Sequence, residues 1–274
     1  MPNRAKQTLR RVRFRHKTFR APVVRRRHRG LTAEDAFLAS YPRSGTTWLR
    51  FLLFETLTRR PSAFGLVRTG IPSVGFHDTA VPVLDNGGRL VQTHEPFCDR
   101  DRRVVYVVRD ARSVVVSEFN WQRFAGFYAG SFERFFEDFL DGRTNPWGSW
   151  ANHVAFWRNS PAARAGRLHL VRYEDLRRDP HMVFGEIVRF LGAQRTNEEI
   201  ASAIEGNSIE GMRAKEDESR RRRGVTPKRD MRFINTGSTK GWRDVLTGDQ
   251  LDELERRFGA TMSSLGYELS RSGL

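Results

Sequence analysis

Residues 36–53 read AFLASYPRSGTTWLRFLL, which is an apolar run, a turn and a second apolar run with helical spacing. Ala36–Ser40 is the kind of short, nearly continuous apolar run that is typical of a strand buried on both faces of a parallel sheet. Pro42 and Gly45 end the strand, and Thr46 opens the helix that follows. The stretch therefore predicts a strand, a tight turn and a helix.

The predicted turn has the residue types that hold an anion. A helix N-terminus offers free backbone N–H groups and the positive end of the helix dipole. Gly45 lets the backbone approach a ligand closely. Ser44, Thr46 and Thr47 add hydroxyl donors, and Arg43 adds a fixed positive charge. Residues 43–47 are therefore predicted to bind a phosphate or a sulfate, and an ordinary strand–helix corner is the alternative.

Similar short apolar runs at Arg89–Thr93, Val104–Val108 and Leu168–Arg172 predict three more strands. Helical spacing or capping residues mark helices at Thr46–Leu57, after Ser131, from Trp150, after Asp179, after Thr196 and from Leu251. Because strands and helices alternate, we expect a single three-layer α/β domain over residues 31–274, with a central parallel sheet.

The positive charge of the chain is concentrated at its N-terminal end. The formal net charge is +16, but residues 1–29 hold 12 of the 48 basic residues and none of the 32 acidic ones. The excess for residues 30–274 is therefore only +4. Residues 1–30 are predicted to form a basic, disordered tail, with weak contact to an anionic surface or nucleic acid as the alternatives. No recognised nucleic-acid-binding motif is present, so no specific nucleic-acid partner is expected.

Composition and sequence patterns argue against several other classes of protein. No apolar run reaches the length of about 18 residues that a membrane-spanning helix needs, and the first residues lack the apolar core of a secretory signal. Cys98 is the single cysteine, so we expect neither a disulfide framework nor a thiol metal cluster. A cytoplasmic location is the expectation, and no metal is expected.

Sequence motifs that the chain lacks reduce the number of anionic ligands that the turn is expected to bind. There is no ATP-type G-x-x-x-x-G-K-[ST] loop, no Gly-rich dinucleotide turn and no obvious Mg²⁺ carboxylate after the next strand. Phosphoryl transfer from ATP generally uses a metal to offset charge, whereas a sulfonate carries less charge. A P-loop-like kinase and a nucleic-acid-binding protein remain as alternatives at this point.

Four segments resemble one enzyme family. YPRSGTTWLR resembles the 5′-phosphosulfate loop of the sulfotransferases that use 3′-phosphoadenosine 5′-phosphosulfate (PAPS), whose usual pattern is Y-P-K-S-G-T-T-W. VVYVVRDARSVVVSEFNW, NPWGSWANHVAFW and LHLVRYEDLRRDP are similar to the family's 3′-phosphate segment, G-S-W helix start and Y-E-D-L strand end. The resemblance runs in order from Ala36 to Trp242 and is greatest to the short soluble bacterial members. It implies a P-loop-like nucleotide-binding fold and PAPS-dependent sulfonate transfer to a hydroxyl or amine.

The same resemblance implies the residues that bind the donor. They are Arg43, Ser44, Gly45, Thr46, Thr47 and Trp48 for the 5′-phosphosulfate and adenine, Arg109 and Ser117 for the 3′-phosphate, and Tyr173, Ser208, Gly237 and Lys240 for further nucleotide contacts. An ion pair with Asp110 or Glu118 is the structural alternative for Arg109.

His94 is the candidate general base. It lies in VQTHEPF just after a predicted strand, where the family has K-T-H-x-P. An imidazole titrates near neutral pH and can take the acceptor's proton as the acceptor attacks sulfur. Arg43 is the candidate group that stabilises the leaving bisphosphate. His153 and His169 are interpreted as packing residues.

The chain departs from the family pattern at several charged positions. Arg43 replaces a lysine, Gln92 replaces the lysine of K-T-H, and NTGSTKGW at 235–242 keeps Gly237 and Trp242 but not the usual basic pair. The replacement charge is expected from Lys240, from Lys228 or from a lid loop carrying Arg220–Arg223. The acceptor is predicted to be a small molecule or glycan, with Phe76, Phe124, Phe127 and Tyr128 either lining its pocket or forming core.

Overall fold

A computed structural model describes residues 17–97, 102–224 and 239–270. Its strands are β1 Ala36–Ser40, β2 Leu90–Thr93, β3 Val104–Val108 and β4 Leu168–Arg172. They form one parallel sheet in the order β2-β1-β3-β4. The four predicted strands are confirmed, and β2 begins one residue later than predicted.

Helices precede, connect and follow these strands. They are α1 Lys17–Arg27, α2 Thr46–Thr58, α3 Phe64–Gly70, α4 Ala111–Phe124, α5 Phe132–Leu140, α6 Trp150–Arg158, α7 Pro161–Arg164, α8 Tyr173–Arg178, α9 Pro180–Phe190, α10 Asn197–Gly206, α11 Ile209–Arg222 and α12 Gly248–Ser263, with a 3₁₀ turn at Gly241–Asp244. Ser131 caps α5, and Thr196 forms a capping box with Glu199 at α10, as predicted. Among the described residues, no helix is long and apolar enough to cross a membrane.

The core lies on both faces of the sheet. Leu38 and Val105 face one cluster, which is completed by apolar residues of α2, α9 and α10. Phe37 and Tyr106 face the other, which is completed by α4, α5, α6 and α12. Successive side chains of a strand point to opposite faces, so a strand that is apolar throughout needs a helical layer on each side. The predicted three-layer α/β domain is confirmed.

The structure differs from the expectation of a disordered tail from Lys17 onward. Helix α1 occupies part of that segment, and Val24 in it is 3% exposed. Arg27 Nε contacts Glu95 Oε1, and His28 Nε2 lies 3.0 Å from Glu95 Oε2. Glu95 is 1% exposed, and a buried carboxylate needs donors, which the N-terminal segment supplies. Residues 1–16 lie outside the described residues, so the tail stays a prediction for them.

Replacing Arg27 with glutamine is expected to lower the free energy of unfolding by about 2 kcal/mol, because among the described residues Glu95 would keep His28 alone as an ion-pair partner. Chemical denaturation measures this difference. Arg26→Gln is the matched control, since Arg26 is exposed in the same turn of α1. Equal stabilities of the two variants would show that the contact with Glu95 contributes nothing.

Candidate active site

The order of the strands places a crevice at one edge of the sheet. From β1 the chain passes to β2 on one side, and the next strand, β3, lies on the other side of β1. Loops that leave the carboxyl ends of β1 and β3 therefore separate, and ligands of open α/β sheets bind at such a switch point. The turn at 41–45 follows β1, His94 follows β2 and Arg109 follows β3. Three sequence-predicted segments thus meet at this edge.

Gly45 has a conformational role in the turn. It precedes α2 with a φ of 94°, in the left-handed region that favours glycine. A Cβ at this position would lie 2.3 Å from Cδ2 of Tyr173, which is closer than any real contact. The sequence indicated close approach of a ligand as the reason for this glycine. The structure adds a second reason: the backbone conformation and the ring of Tyr173 both exclude a side chain.

The hydroxyl groups of the turn differ in how they are satisfied. Thr46 Oγ1 contacts Ser40 Oγ, whereas the half-buried Thr47 lies in the first turn of α2. Ser44 is completely buried, and its Oγ has no hydrogen-bond partner among the described residues. A buried hydroxyl without a partner costs on the order of 1–3 kcal/mol, so this group fits an anion held at the helix N-terminus.

Two arginines lie close together beside the turn. Arg43 Nε donates to Ser117 Oγ at 3.2 Å, and Arg109 Nη1 donates to the carbonyl oxygen of Arg43 at 3.2 Å. Burial lowers the pKa of Arg43 to about 10, the charge of Arg109 adds to the decrease, and Glu118 opposes it. Mutual repulsion between two guanidinium groups favours a bound anion. The predicted grouping of these residues is therefore present in the structure, and it fits a phosphorylated donor.

Arg109 does not form the alternative pair with Asp110 that the sequence allowed. Asp110 binds Arg112, with 2.6 Å between Oδ2 and Nη2. The guanidinium of Arg109 instead lies 4.6 Å from the ring centre of Tyr173. The carboxylate of Asp110 thus forms its ion pair with Arg112 rather than with Arg109.

The segment around Lys240 lies near the start of α4. Ser113 Oγ donates to Thr239 O at 3.0 Å, and Arg112 lies 4.3 Å from the ring centre of Trp242. Because α4 begins two residues after Arg109, these contacts bring Lys240 to the predicted 3′-phosphate side. Gly237 and Lys228 lie outside the described residues.

Three of the predicted nucleotide contacts lie on the side of α2. Trp48 Nε1 donates to Asn207 O at 2.9 Å, and its ring meets Tyr173 edge to face at 6.2 Å. Ser208 follows Asn207 and caps α11 by accepting from Gly211 N at 3.2 Å. The structure thus brings Trp48, Tyr173 and Ser208 together.

A partly buried polar cluster supports this nucleotide side and was not predicted from the sequence. Lys215 Nζ lies 2.8 Å from Glu55 Oε1, from Ser62 Oγ and from Asn207 Oδ1. It also donates to Gly206 O at 2.8 Å, so the ammonium fixes the chain just before Ser208. One lysine in an arginine-rich helix gives no sequence signal for this role.

The ring of His94 is fixed in a single orientation. Its Nδ1 lies 2.7 Å from Ser40 O, and a carbonyl oxygen can only accept a hydrogen bond. Nδ1 therefore carries a proton, so Nε2 is the nitrogen that can accept one when the imidazole is neutral. The carbonyl oxygen of His94 accepts from His153 Nε2 at 3.0 Å, and Tyr106 OH lies 2.9 Å from His153 Nδ1. His153 is 1% exposed, so it packs in the core as predicted and also anchors His94.

The prediction that the basic run Arg220–Arg223 lies in a lid loop is wrong, because the run begins within α11. Arg220 lies within the helix, is 8% exposed and pairs with Glu216 at 2.5 Å. Arg222 pairs with Glu218 at 2.8 Å. Acidic residues one turn earlier in the helix provide these partners, so helical spacing rather than a mobile loop determines the position of the run. Gln92 is neutral and so does not replace the charge of the family's lysine, and its Oε1 accepts from Ser73 Oγ at 2.7 Å.

The aromatic residues considered for an acceptor pocket fall into two groups. Phe76 is 70% exposed and Phe124 is 37% exposed, so both are outside the core. Tyr128 packs against Phe135 at 5.1 Å, and Phe127 against Trp121 at 5.3 Å. Phe97, three residues after His94, is 40% exposed. The accessible aromatic surface is thus provided by residues such as Phe76, Phe97 and Phe124.

A turn–helix anion site at the switch point of a parallel sheet, with an imidazole beside it, fits an α/β enzyme that transfers a group from an anionic donor. The family model described as a sulfotransferase domain matches residues 33–266. The chain therefore belongs to the sulfotransferase family. This membership confirms the predicted enzyme class and decides against the kinase alternative.

Curated relatives and solved structures agree with the family. The chain is 26% identical over 263 residues to rat sulfotransferase 1A1, covering 86% of this chain and 87% of the relative, and 24% identical to a flavonol sulfotransferase-like protein of Flaveria bidentis, covering 86% and 84%. Mouse SULT7A1 in complex with PAP has a TM-score of 0.65 at 22% identity, covering 88% of this chain and 89% of its own. Retinol dehydratase with androsterone and PAP has a TM-score of 0.69 at 20% identity, covering 91% and 86%. At these identities the two structures show the shared fold. The expectation of a bacterial-type member stays a prediction.

Proposed function

We propose that this chain transfers the sulfonate group of PAPS to a hydroxyl or amine of a small acceptor molecule, with His94 as general base and Arg43 at the leaving bisphosphate. The observation that carries the proposal is the buried Ser44 hydroxyl, which has no partner among the described residues and lies beside Arg43 at a helix N-terminus. PAP, the product that remains when PAPS loses its sulfonate, is bound by the two similar structures.

The two anionic ends of PAPS are assigned to two adjoining groups of residues, since Ser117 and Arg109 both contact Arg43. Residues 43–47 hold the 5′-phosphosulfate through backbone N–H groups, hydroxyls and one guanidinium. Arg109 and Ser117 hold the 3′-phosphate, where the planar guanidinium can make two parallel hydrogen bonds. Trp48, Tyr173 and Ser208 contact the adenosine, while Gly237 and Lys240 as the 3′-phosphate clasp stay predictions.

The chemistry follows from the orientation of two side chains. His94 Nε2 takes the proton of the acceptor while the acceptor oxygen or nitrogen forms a bond to sulfur. The bond between sulfur and the bridging oxygen breaks, and the negative charge on that oxygen is stabilised by Arg43 and by the amides of the turn. With a pKa of about 10, Arg43 stays charged near neutral pH and therefore acts by charge rather than by giving up a proton.

The acceptor is proposed to be a small, partly apolar molecule. Phe76, Phe97 and Phe124 are exposed aromatic side chains, and Phe97 follows the proposed base by three residues. One of the structures of similar fold holds androsterone, and one relative is named for flavonols. A glycan hydroxyl is the second acceptor class in the prediction, and the cytoplasmic location stays a prediction from the sequence.

Arg109→Met tests the proposed placement of the donor. It is expected to weaken the binding of PAP by about 100-fold and to leave adenosine 5′-phosphate, which lacks the 3′-phosphate, within a few-fold of its original affinity. Isothermal titration calorimetry with both nucleotides gives the two constants. The matched control is Arg103→Met, an exposed arginine at the opposite end of β3. Equal losses for both nucleotides would argue against Arg109 as the 3′-phosphate ligand.

A further inference from the structure

The polar cluster on the nucleotide side joins segments that are far apart in the chain. Its members are Glu55 in α2, Ser62 in the loop after α2, Asn207 at the end of α10 and Lys215 in α11. Asn207 is 0% exposed and Ser62 is 5% exposed. Glu55 Oε1 accepts from Ser62 N at 2.8 Å, and Glu55 Oε2 accepts from Asn207 Nδ2 at 2.8 Å. Both oxygens of this largely buried carboxylate therefore have donors, as its removal from water requires.

Lys215 provides a positive charge inside this cluster. Its Nζ lies 2.8 Å from Glu55 Oε1, and the two side chains are 20% and 15% exposed. Burial by itself would raise the pKa of Glu55, but the hydrogen bonds from Lys215 and Ser62 outweigh burial and lower that pKa. Removing the ammonium alone would leave the carboxylate uncompensated, whereas replacing both charges together is less costly.

The cluster holds the part of the backbone to which Trp48 is bound. Trp48 Nε1 donates to Asn207 O at 2.9 Å. Lys215 Nζ lies 2.8 Å from Asn207 Oδ1 and donates to Gly206 O at 2.8 Å. A Cβ at Gly206 would lie 3.1 Å from Glu55 Oε2, so the carboxylate packs closely against this backbone. The carbonyl oxygen that accepts from the indole thus belongs to a residue whose side chain and preceding carbonyl group both contact Lys215.

The orientation of the Trp48 indole decides which surface is offered to a base. The indole nitrogen is a donor only, and its hydrogen bond to Asn207 O fixes one edge of the ring. The ring also meets Tyr173 edge to face at 6.2 Å, and the guanidinium of Arg177 lies 5.2 Å from the ring centre. Contact between a base and an aromatic ring depends on this orientation. A displacement of Asn207 O would therefore alter the base contact, while the groups proposed to hold the phosphates lie on other segments.

We propose that Lys215 is a positioning residue for the adenine of the donor, acting through Asn207 and its hydrogen bond to the Trp48 indole. The inference rests on the proposed function, in which Trp48 and Ser208 contact the adenosine. Supporting contacts of this kind hold a binding side chain in its productive geometry. Lys215 thus contributes to the affinity for the base and not to the affinity for the phosphates.

Calorimetric titration with two ligands separates these contributions. The ligands are PAP and 1,4-anhydroribitol 3,5-bisphosphate, which has the sugar ring and both phosphates but no base. Lys215→Met is expected to raise the Kd of PAP about tenfold and to leave the Kd of the base-free ligand within about twofold. In steady-state transfer the KM for PAPS should rise with little change in kcat, because the base contact is the same before and during sulfonate transfer. Arg256→Met, which removes an exposed cation of α12 paired with Glu253, is the control and should change neither Kd.

A double-mutant cycle tests the route through the indole. Trp48→Phe keeps an aromatic ring but lacks the N–H that donates to Asn207 O. It is expected to raise the Kd of PAP about fivefold, and adding Lys215→Met to it should raise that Kd by no more than about a further twofold. If the two effects on PAP multiply in full, Lys215 does not act through Trp48 and the proposal is overturned.

A charge-neutral variant keeps the test valid if Lys215→Met does not fold. Combining Lys215→Met with Glu55→Gln removes both charges of the pair, so no uncompensated carboxylate remains. The combined variant is expected to show the same tenfold weakening of PAP, with the base-free ligand again within about twofold. A general loosening of the fold would weaken both ligands alike. Equal weakening of the two ligands, or an unchanged Kd for PAP, would overturn the proposal.

The same titrations separate this inference from the proposed function. If Arg109→Met binds both bisphosphates as tightly as the unmodified enzyme, the placement of the donor is wrong. If both bisphosphates depend on Arg109 but Lys215→Met does not weaken PAP selectively, the donor site stands and the role of Lys215 is wrong.

Discussion

His94→Gln is expected to lower kcat by about 10²–10⁴-fold and to leave the Kd for PAP within a few-fold. Glutamine is similar in size to histidine, but it has no basic nitrogen to accept the acceptor's proton. The loss therefore falls on the chemical step rather than on donor binding. Steady-state transfer of labelled sulfonate from PAPS, together with PAP titration, gives both quantities.

The pH dependence of the rate identifies the role of His94 more specifically than the size of the loss. In the unmodified enzyme kcat/KM should fall at acid pH as the imidazole becomes protonated, and His94→Gln should lose that acid limb. His181→Gln, an exposed histidine of α9, is the control and should keep both the rate and the limb. A full transfer rate in His94→Gln would show that another group is the base.

The sheet and the helices of the domain follow from local sequence signals. Each strand is a short apolar run because both faces of the sheet are covered, and residues such as Ser131 and Thr196 start helices by capping them. These signals act over a few residues, so a single sequence contains them. Helices α1 and α11 are exceptions: α1 lies in the segment predicted as a disordered tail, and the basic run at Arg220 was interpreted as a loop although Glu216 pairs with it one turn earlier.

The supporting contacts of the site could not be predicted, because they join positions that are distant in sequence. Glu95 binds Arg27, 68 residues earlier in the chain. Glu118 binds Asn145, 27 residues later, and Lys215 binds Glu55, 160 residues earlier. In the sequence each of these residues resembles an ordinary polar or charged surface residue. Only the fold shows that the carboxylates of Glu95 and Glu118 are buried and therefore need these partners.

Arg43 is one of the positions at which the chain departs from the usual pattern of its family, since the common pattern has a lysine there. Arg43 adopts a φ of 66°, donates to Ser117 and lies near both Arg109 and Glu118. The planar guanidinium offers several donors in a fixed arrangement, whereas an ammonium is a compact and flexible charge. A substitution at this position therefore separates the effect of charge from the effect of geometry.

Arg43→Met is expected to lower kcat by about 10²–10³-fold, because it removes the cation at the oxygen where negative charge develops. Arg43→Lys keeps the charge on an equally unbranched stem at the same φ, and it is expected to keep kcat within about tenfold of the unmodified enzyme. Arg123→Met, which removes an exposed cation of α4, controls for the overall loss of positive charge. Single-turnover transfer of labelled sulfonate measures the chemical step in all four proteins.

An unchanged rate in Arg43→Met would exclude charge stabilisation by this residue. A rate in Arg43→Lys well above that of the unmodified enzyme would indicate instead that proton donation to the leaving oxygen, which an ammonium can provide and a guanidinium cannot, limits this enzyme.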